Sequence, residues 1–144
     1  NLLSVSPRQR DNWILTPHPG EAARLLAGST AAIGRDRFQA VRALQQTYGA
    51  VEVLKGAGSL IADQDNVWVS TTGNPGMASG GMGDVLAGMI AALIAQGMSS
   101  HDAAVLGVYL HGLAGDRVAA NQPAGMTAMD LAEQIPATMR SLMV

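Results

Sequence analysis

Gly73-Asn74-Pro75-Gly76-Met77-Ala78-Ser79-Gly80-Gly81-Met82-Gly83-Asp84 is the most constrained stretch of the chain. Five of its twelve residues are glycine, and alanine and serine sit among them. A backbone this bare lets a ligand approach closely. The stretch runs into an apolar segment, 85–95, which at 11 residues is too short to cross a bilayer, where about 20 are needed. It reads as a buried helix that Gly97 ends. Free N–H groups at a helix start, together with the helix dipole, form an anion site. Gly80, Gly81, Met82 and Gly83 are therefore candidates to cradle a phosphate; the alternative is a tight turn where the helix packs on another backbone. No Gly-Lys-Ser/Thr follows, and the Gly-x-Gly-x-x-Gly spacing is absent, so neither a Walker A loop nor the dinucleotide fingerprint is present. Asp84 stands at the helix start. It reads either as a plain N-cap or as a carboxylate beside the anion site, kept ionised by the helix N-terminus and able to take a proton from a substrate hydroxyl.

Upstream, Trp13-Ile14-Leu15 is a short buried strand that stops at Thr16-Pro17. A short helix is expected over 20–26, and a better one over 36–48. In the latter Phe38, Val41, Leu44, Gln45 and Tyr48 recur at helical spacing and Gly49 supplies the stop. Residues 51–54 read as a strand running into Lys55-Gly56-Ala57-Gly58-Ser59. Residues 59–62 and 67–70 read as a hairpin turned by Asp63-Gln64-Asp65-Asn66. Downstream, a cap at Ser99-Ser100-His101-Asp102 opens a helix to about residue 120. A last helix covers 127–142, with a kink or break at Pro136. Strands with helices among them, followed by three helices, indicate an α/β layered domain.

Two further sites stand out. Lys55 is the lone lysine and lies just past a strand end, where α/β sheets bind ligands. It reads as a point charge for phosphate in a loop that could wrap a nucleotide, or as a surface lysine beside a hairpin. His18 projects from Thr16-Pro17-His18-Pro19-Gly20-Glu21, a turn stiffened by two prolines that suits a binding contact; Glu21 is placed for the helix dipole. His101 and His111 read as structural. No cluster has the spacing of a protein metal site, although magnesium carried by a nucleotide is compatible with the sequence.

Composition sets the outer limits. The chain has 144 residues, 48% of them hydrophobic, 14% charged and 3% aromatic, so it can bury a core built mainly from aliphatic side chains and methionine. A formal net charge of −2 argues against nucleic acid as the partner. The absence of cysteine removes disulfides, thiolate zinc sites and cysteine nucleophiles, and fits a reducing compartment. No signal peptide is visible, and the start Asn1-Leu2-Leu3, with no methionine, suggests a piece of something longer.

The three segments 16–21, 53–58 and 73–84, taken in this order, resemble the ADP/ATP-dependent NAD(P)H-hydrate dehydratases of the ribokinase-like superfamily. The Gly-Gly-x-Gly-Asp piece alone marks only the superfamily. The resemblance implies a three-layer α/β ribokinase-like sandwich, with residues 1–144 as the C-terminal portion of a domain about twice as long. It implies a metabolite-repair reaction in which ADP or ATP, with Mg2+, phosphorylates the hydroxyl of the S-epimer of hydrated NADH or NADPH and phosphate is then eliminated. Asp84 would be the base and would contact the hydrated nicotinamide. Gly80, Gly81, Met82 and Gly83 would form the anion hole, with Gly83 also touching the nucleotide. Lys55, Gly56, Ala57, Gly58 and Ser59 would line the AMP portion, and His18 would contact the hydrated dinucleotide. A cytoplasmic setting is expected, with no membrane or nucleic-acid partner, self-association into a homo-oligomer to cover apolar surface, and an epimerase domain in the full-length protein. Two alternatives use the same residues: a ribokinase-like kinase for a vitamin precursor, and a catalytically inert nucleotide-binding fragment.

Overall fold

Four short strands carry the first part of the chain. The computed structural model describes residues 2–49, 51–122 and 124–142; Asn1, Ala50, Pro123, Met143 and Val144 lie outside this description. The chain divides into two compact units, Asn1–Val69 and Ser70–Val144.

In the first unit β2 (Val51–Leu54) is central. It pairs in parallel with β1 (Ile14–Leu15) and antiparallel with β3 (Leu60–Ala62), which pairs antiparallel with β4 (Val67–Val69), giving the order β1-β2-β3-β4. The expected hairpin is present: Asp63 Oδ1 accepts from the N–H groups of Asp65 and Asn66 and shapes the turn. Between the parallel strands run α1 aside, three helices: α2 (Pro19–Leu25), α3 (Thr30–Arg35) and α4 (Arg37–Tyr48); α1 is the single turn Leu2–Val5. Asp36 caps α4 by accepting from Gln39 N–H at 2.8 Å, and Gly49, at φ 73°, ends it. Ala40, Val41, Leu44 and Tyr48 on α4 pack with Ala22, Ala23 and Ile33 against Leu54, Leu60 and Ala62. Phe38 does not join them and is 55% exposed. At 100° per residue it points roughly 100° away from the centre of that stripe. Arg42 reaches from α4 to donate to the carbonyls of Asp63 and Asp65, tying the helix to the hairpin turn.

Glu52 is the anomaly of this unit. It sits on the central strand, fully buried, and neither carboxyl oxygen has a hydrogen-bond partner. Its register mates are Leu15 and Ala62. Burial pushes its pKa up to about 8, since the charged form is disfavoured away from water. Tyr48 is also raised, first by burial and then by the nearby Glu52 charge; its hydroxyl donates to Leu25 O at 2.8 Å.

The second unit is helical: α5 (Met82–Ala95), α6 (Ser100–Asn121) and α7 (Ala128–Arg140). Gly107 lets α5 and α6 pack closely, since a Cβ there would stand 2.7 Å from Ile90 Cγ1. Met82, Ala114, Val118, Met126 and Leu131 form one core cluster of this unit, with Met77, Val85 and Ile135 against them. Ser99 caps α6 and Thr127 caps α7, each accepting from a first-turn N–H. Of the kink or break expected at Pro136, the break does not occur: α7 continues through it. Leu131 and Thr138, on either side of it, are buried, and their packing offsets a proline penalty of about 3 kcal/mol. Among the described residues, no helix is long and apolar enough to cross a membrane.

Candidate functional site

His18 is built into a helix cap. Its Nδ1 accepts from the N–H groups of Gly20 and Glu21 at 3.0 and 3.2 Å, while its own N–H donates to Glu21 Oε2 at 2.7 Å. A backbone N–H only donates, so Nδ1 holds the lone pair and the ring proton is on Nε2. Nε2 lies 3.6 Å from Glu21 Oε1 on a half-exposed ring. Pro19, at the first position of α2, surrenders no needed donor.

The second segment docks on the first. Lys55 N–H donates to Pro17 O at 2.9 Å and Val51 N–H donates to Trp13 O, lengthening the parallel pairing beyond β1 and β2 in both directions. Lys55 Nζ stands 3.7 Å from Glu21 Oε2. Glu21 therefore closes the cap and anchors the lysine together. Beyond Lys55 the chain turns through Gly56 at φ 147° and Gly58 at φ 60°, a left-handed conformation that a side chain would strain. Ser59 Oγ closes the turn, accepting from Gly56 N–H and donating to Gly56 O. Arg37, at the first position of α4, fills the loop from behind. It donates to Ala57 O at 2.5 Å and to Leu54 O at 3.2 Å.

In the second unit the glycine-rich stretch is ordered from its start. A single 3-10 turn, Pro75–Met77, is capped by Asn74, whose Oδ1 accepts from Gly76 N–H at 3.0 Å. Ser79 Oγ donates to Met126 O at 3.2 Å. Helix α5 begins at Met82, two residues before the expected start, and its N-cap is Gly81 in the left-handed region at φ 86°. Asp84 is thus not a cap. It occupies the third helical position, exposed, with its N–H on Gly81 O. Gly81 has no side chain to spend on the helix end, and among the described residues the N–H groups of Gly80, Gly81, Met82 and Gly83 find no acceptor. Unpaired donors at a helix start, next to an exposed carboxylate in the same turn, can hold an anion and take a proton from what is bound to it.

Sequence reasoning missed two of the residues that hold these loops, Arg37 and Asp116; His111, which reads as structural, is so. His111 is buried and its Nε2 donates to Met82 O at 3.0 Å, fixing the first residue of α5. Asp116 binds the loop at its entry. The segment His111-Gly112-Leu113-Ala114-Gly115-Asp116, with three small residues between two polar ones, was the available signal. Among the described residues, no group of three or more His, Asp or Glu could hold a metal ion.

An α/β sheet ending in a lysine-bearing glycine loop, and a helix opened by a bare glycine run with an aspartate in its first turn, are the parts of the ribokinase-like fold. A ribokinase-like protein of Enterococcus faecalis superposes with a TM-score of 0.76 at 31% identity, over 89% of this chain and 44% of its own. The family model for NAD(P)H-hydrate dehydratase matches residues 1–137, and the chain belongs to that family. The bifunctional NAD(P)H-hydrate repair enzyme of Coxiella burnetii is 53% identical over 91% of this chain and 27% of its own. The ADP-dependent (S)-NAD(P)H-hydrate dehydratase of Neisseria meningitidis is 43% identical over 99% of this chain and 50% of its own. The ADP/ATP-dependent NAD(P)H-hydrate dehydratase of Bacillus subtilis, co-crystallised with ATP/Mg2+, superposes with a TM-score of 0.81 at 30% identity, over 89% of this chain and 47% of its own. The chain thus spans from about a quarter to half the length of these relatives.

Proposed function

We propose that this chain serves the nucleotide-dependent dehydration of the S-epimer of hydrated NADH and NADPH, with ADP as the phosphoryl donor, and that residues 1–144 are the C-terminal part of the dehydratase domain. The substrate hydroxyl oxygen bonds to the terminal phosphorus of the nucleotide as the bond to the bridging oxygen breaks, and Asp84 takes the hydroxyl proton. The carbon–oxygen bond then breaks with phosphate as leaving group, and loss of a ring proton restores the double bond. Phosphorylation turns a poor leaving group into a good one. The N–H groups of Gly80, Gly81, Met82 and Gly83 stabilise charge on the transferring phosphoryl, and Gly83 also meets the nucleotide. Lys55, Gly56, Ala57, Gly58 and Ser59 bind the AMP portion, and His18 meets the hydrated dinucleotide through Nε2.

The observation that carries this is the run of four unpaired N–H groups beside Asp84 at the start of α5. In this reading magnesium arrives with the nucleotide phosphates, where a hard cation finds oxygen ligands. By the same reading the protein works in the cytoplasm as a homo-oligomer. An epimerase, the second activity of a bifunctional repair protein, supplies the S-epimer.

The test is to mix the protein with chemically hydrated NADH, magnesium and either ADP or ATP, and to follow the dihydronicotinamide absorbance. Recovery with ADP is expected. Phosphorylation of a small vitamin-precursor alcohol without recovery would make it a kinase instead. Nucleotide binding that never leads to turnover would mark an inert binding fragment.

A further inference from the structure

Helix α6 presents four grips to the glycine-rich stretch. They fall on two adjacent rows of the helix surface, His111 with Gly115 and Gly112 with Asp116, each pair one i,i+4 step apart. A Cβ on Gly112 would collide with Thr72, and a Cβ on Gly115 would stand 2.5 Å from Met77 Sδ, so both positions let the loop lie directly on the helix. His111 holds the exit of the loop through Met82 O. Asp116 holds the entry with both oxygens: Oδ2 accepts from Gly73 N–H and Oδ1 from the Asn74 side-chain amide, each at 2.9 Å. Asn74 in turn spends its own oxygen on Gly76 N–H and so caps the 3-10 turn. Asp116 therefore orients Asn74, and Asn74 fixes the turn that leads to the exposed run Ala78–Ser79–Gly80–Gly81. The donors at Gly80 to Gly83 need a fixed frame, because a misplacement of about 1 Å at a reacting centre lowers rate by about a hundredfold.

We infer that Asp116 is a positioning residue for phosphoryl transfer, acting through Asn74 to set the path of the anion-binding loop. The inference rests on the function proposed above. It does not place Asp116 in contact with substrate. Its chemistry is specific: a carboxylate is the one side chain of this size that accepts from both donors at once. An asparagine at this position keeps the bond from Gly73 N–H and sets its NH2 against that of Asn74.

The experiment uses the natural full-length protein and four forms: wild type, Asp116→Ala, Asp116→Asn, and the exchange pair Asn74→Asp with Asp116→Asn. The exchange pair restores every bond, since the new amide donates to the new carboxylate, which still accepts from Gly76 N–H. Asp116→Ala should lower kcat by roughly 10- to 100-fold with KM for ADP within about threefold. Asp116→Asn should fall between, and the exchange pair should recover most of the loss. Hydrogen exchange at the bonded amides of Gly73, Gly76, Met77 and Ala78 should rise in Asp116→Ala and return in the exchange pair, with amides of α7 unchanged. A kcat within about twofold of wild type in Asp116→Ala, or an exchange pair that folds and recovers nothing, overturns the inference. If wild type itself shows no turnover of hydrated NADH, the proposed function fails, and the amide-exchange pattern alone then decides whether Asp116 sets the loop.

Discussion

The two glycine-rich loops solve the same problem by different means. The first, 55–59, is a short turn at the end of a central strand. One long side chain, Arg37, fills it, and it closes on itself through Ser59. The second, 73–83, is longer and leans on α6, which grips it with a histidine, an aspartate and two glycines. The first is stapled by a flexible charged arm, the second is moulded on a rigid face. A loop that only has to bind tolerates the former. A loop that must present donors to a moving phosphoryl group benefits from the latter, because preorganised dipoles need no reorientation during reaction.

That contrast is open to direct attack. The largest effect should come from Asp84→Asn, which removes the proposed base and leaves the moulded loop intact. Turnover should fall by about 10²- to 10⁴-fold while nucleotide affinity, measured by calorimetry, changes little. Near-normal turnover would remove Asp84 from that role. Next is the sheet beneath the first loop. Glu52 has a folded pKa of about 8 against an ordinary 4.5, so the folded state holds its proton more tightly than the unfolded chain does. Its contribution is fully present below about pH 4.5 and is lost as pH rises to about 8. Glu52→Gln should flatten that window and raise stability at pH 9 by roughly 2–5 kcal/mol, read from urea unfolding at several pH values. An unchanged pH profile would show that Glu52 is ionised in the fold.

Smaller effects separate the loops themselves. Gly112→Ala drives a methyl group into Thr72 and should destabilise the protein by about 1–3 kcal/mol. Thermal and denaturant unfolding would show it, and a neutral result would mean that α6 is not a mould. Arg37→Ala should act on binding rather than on rate. KM for the nucleotide should rise roughly tenfold, the worth of one hydrogen bond from a charged donor, with kcat nearly unchanged. A fall in kcat with KM unaltered would place both loops in one class and erase the distinction.

What could be read from the sequence was the chemistry that acts over a few residues. Asp36, Ser99 and Thr127 cap helices, Gly49 and Gly97 end them, and Asp63 turns the hairpin. Each of those signals lies within a turn of the structure it causes. Helix α3 escaped because six residues give too little periodicity, and the 3-10 turn at Pro75–Met77 hid inside a glycine run. Asp84 was open to reading as a cap because the real cap, Gly81, has no side chain to show. Pro136 inside a continuous α7, and Phe38 off the buried stripe of α4, follow from packing and stripe geometry, not from local propensity. In the site, the positions 18, 55–59 and 80–84 were legible as bare or charged residues in unusual company. Asp116 was not, since the loop it holds lies 42 and 43 residues away. The full burial of Glu52, flanked by apolar neighbours on its own strand, likewise follows only from the sheet and helix around it.

The left-handed glycine at the head of α5 has one more consequence. Its two companion helices carry their own stoppers, Ser99 and Thr127, and are finished objects before any ligand arrives. Helix α5 has a socket where the stopper would be. Under the proposed function, a phosphate seated there would complete the helix as a keystone completes an arch, and occupancy and the integrity of the first turn would rise and fall together. Saturating nucleotide should therefore slow amide exchange in the first turn of α5 more than anywhere in α6 or α7. The helix end would then report on the ligand as faithfully as the chemistry does.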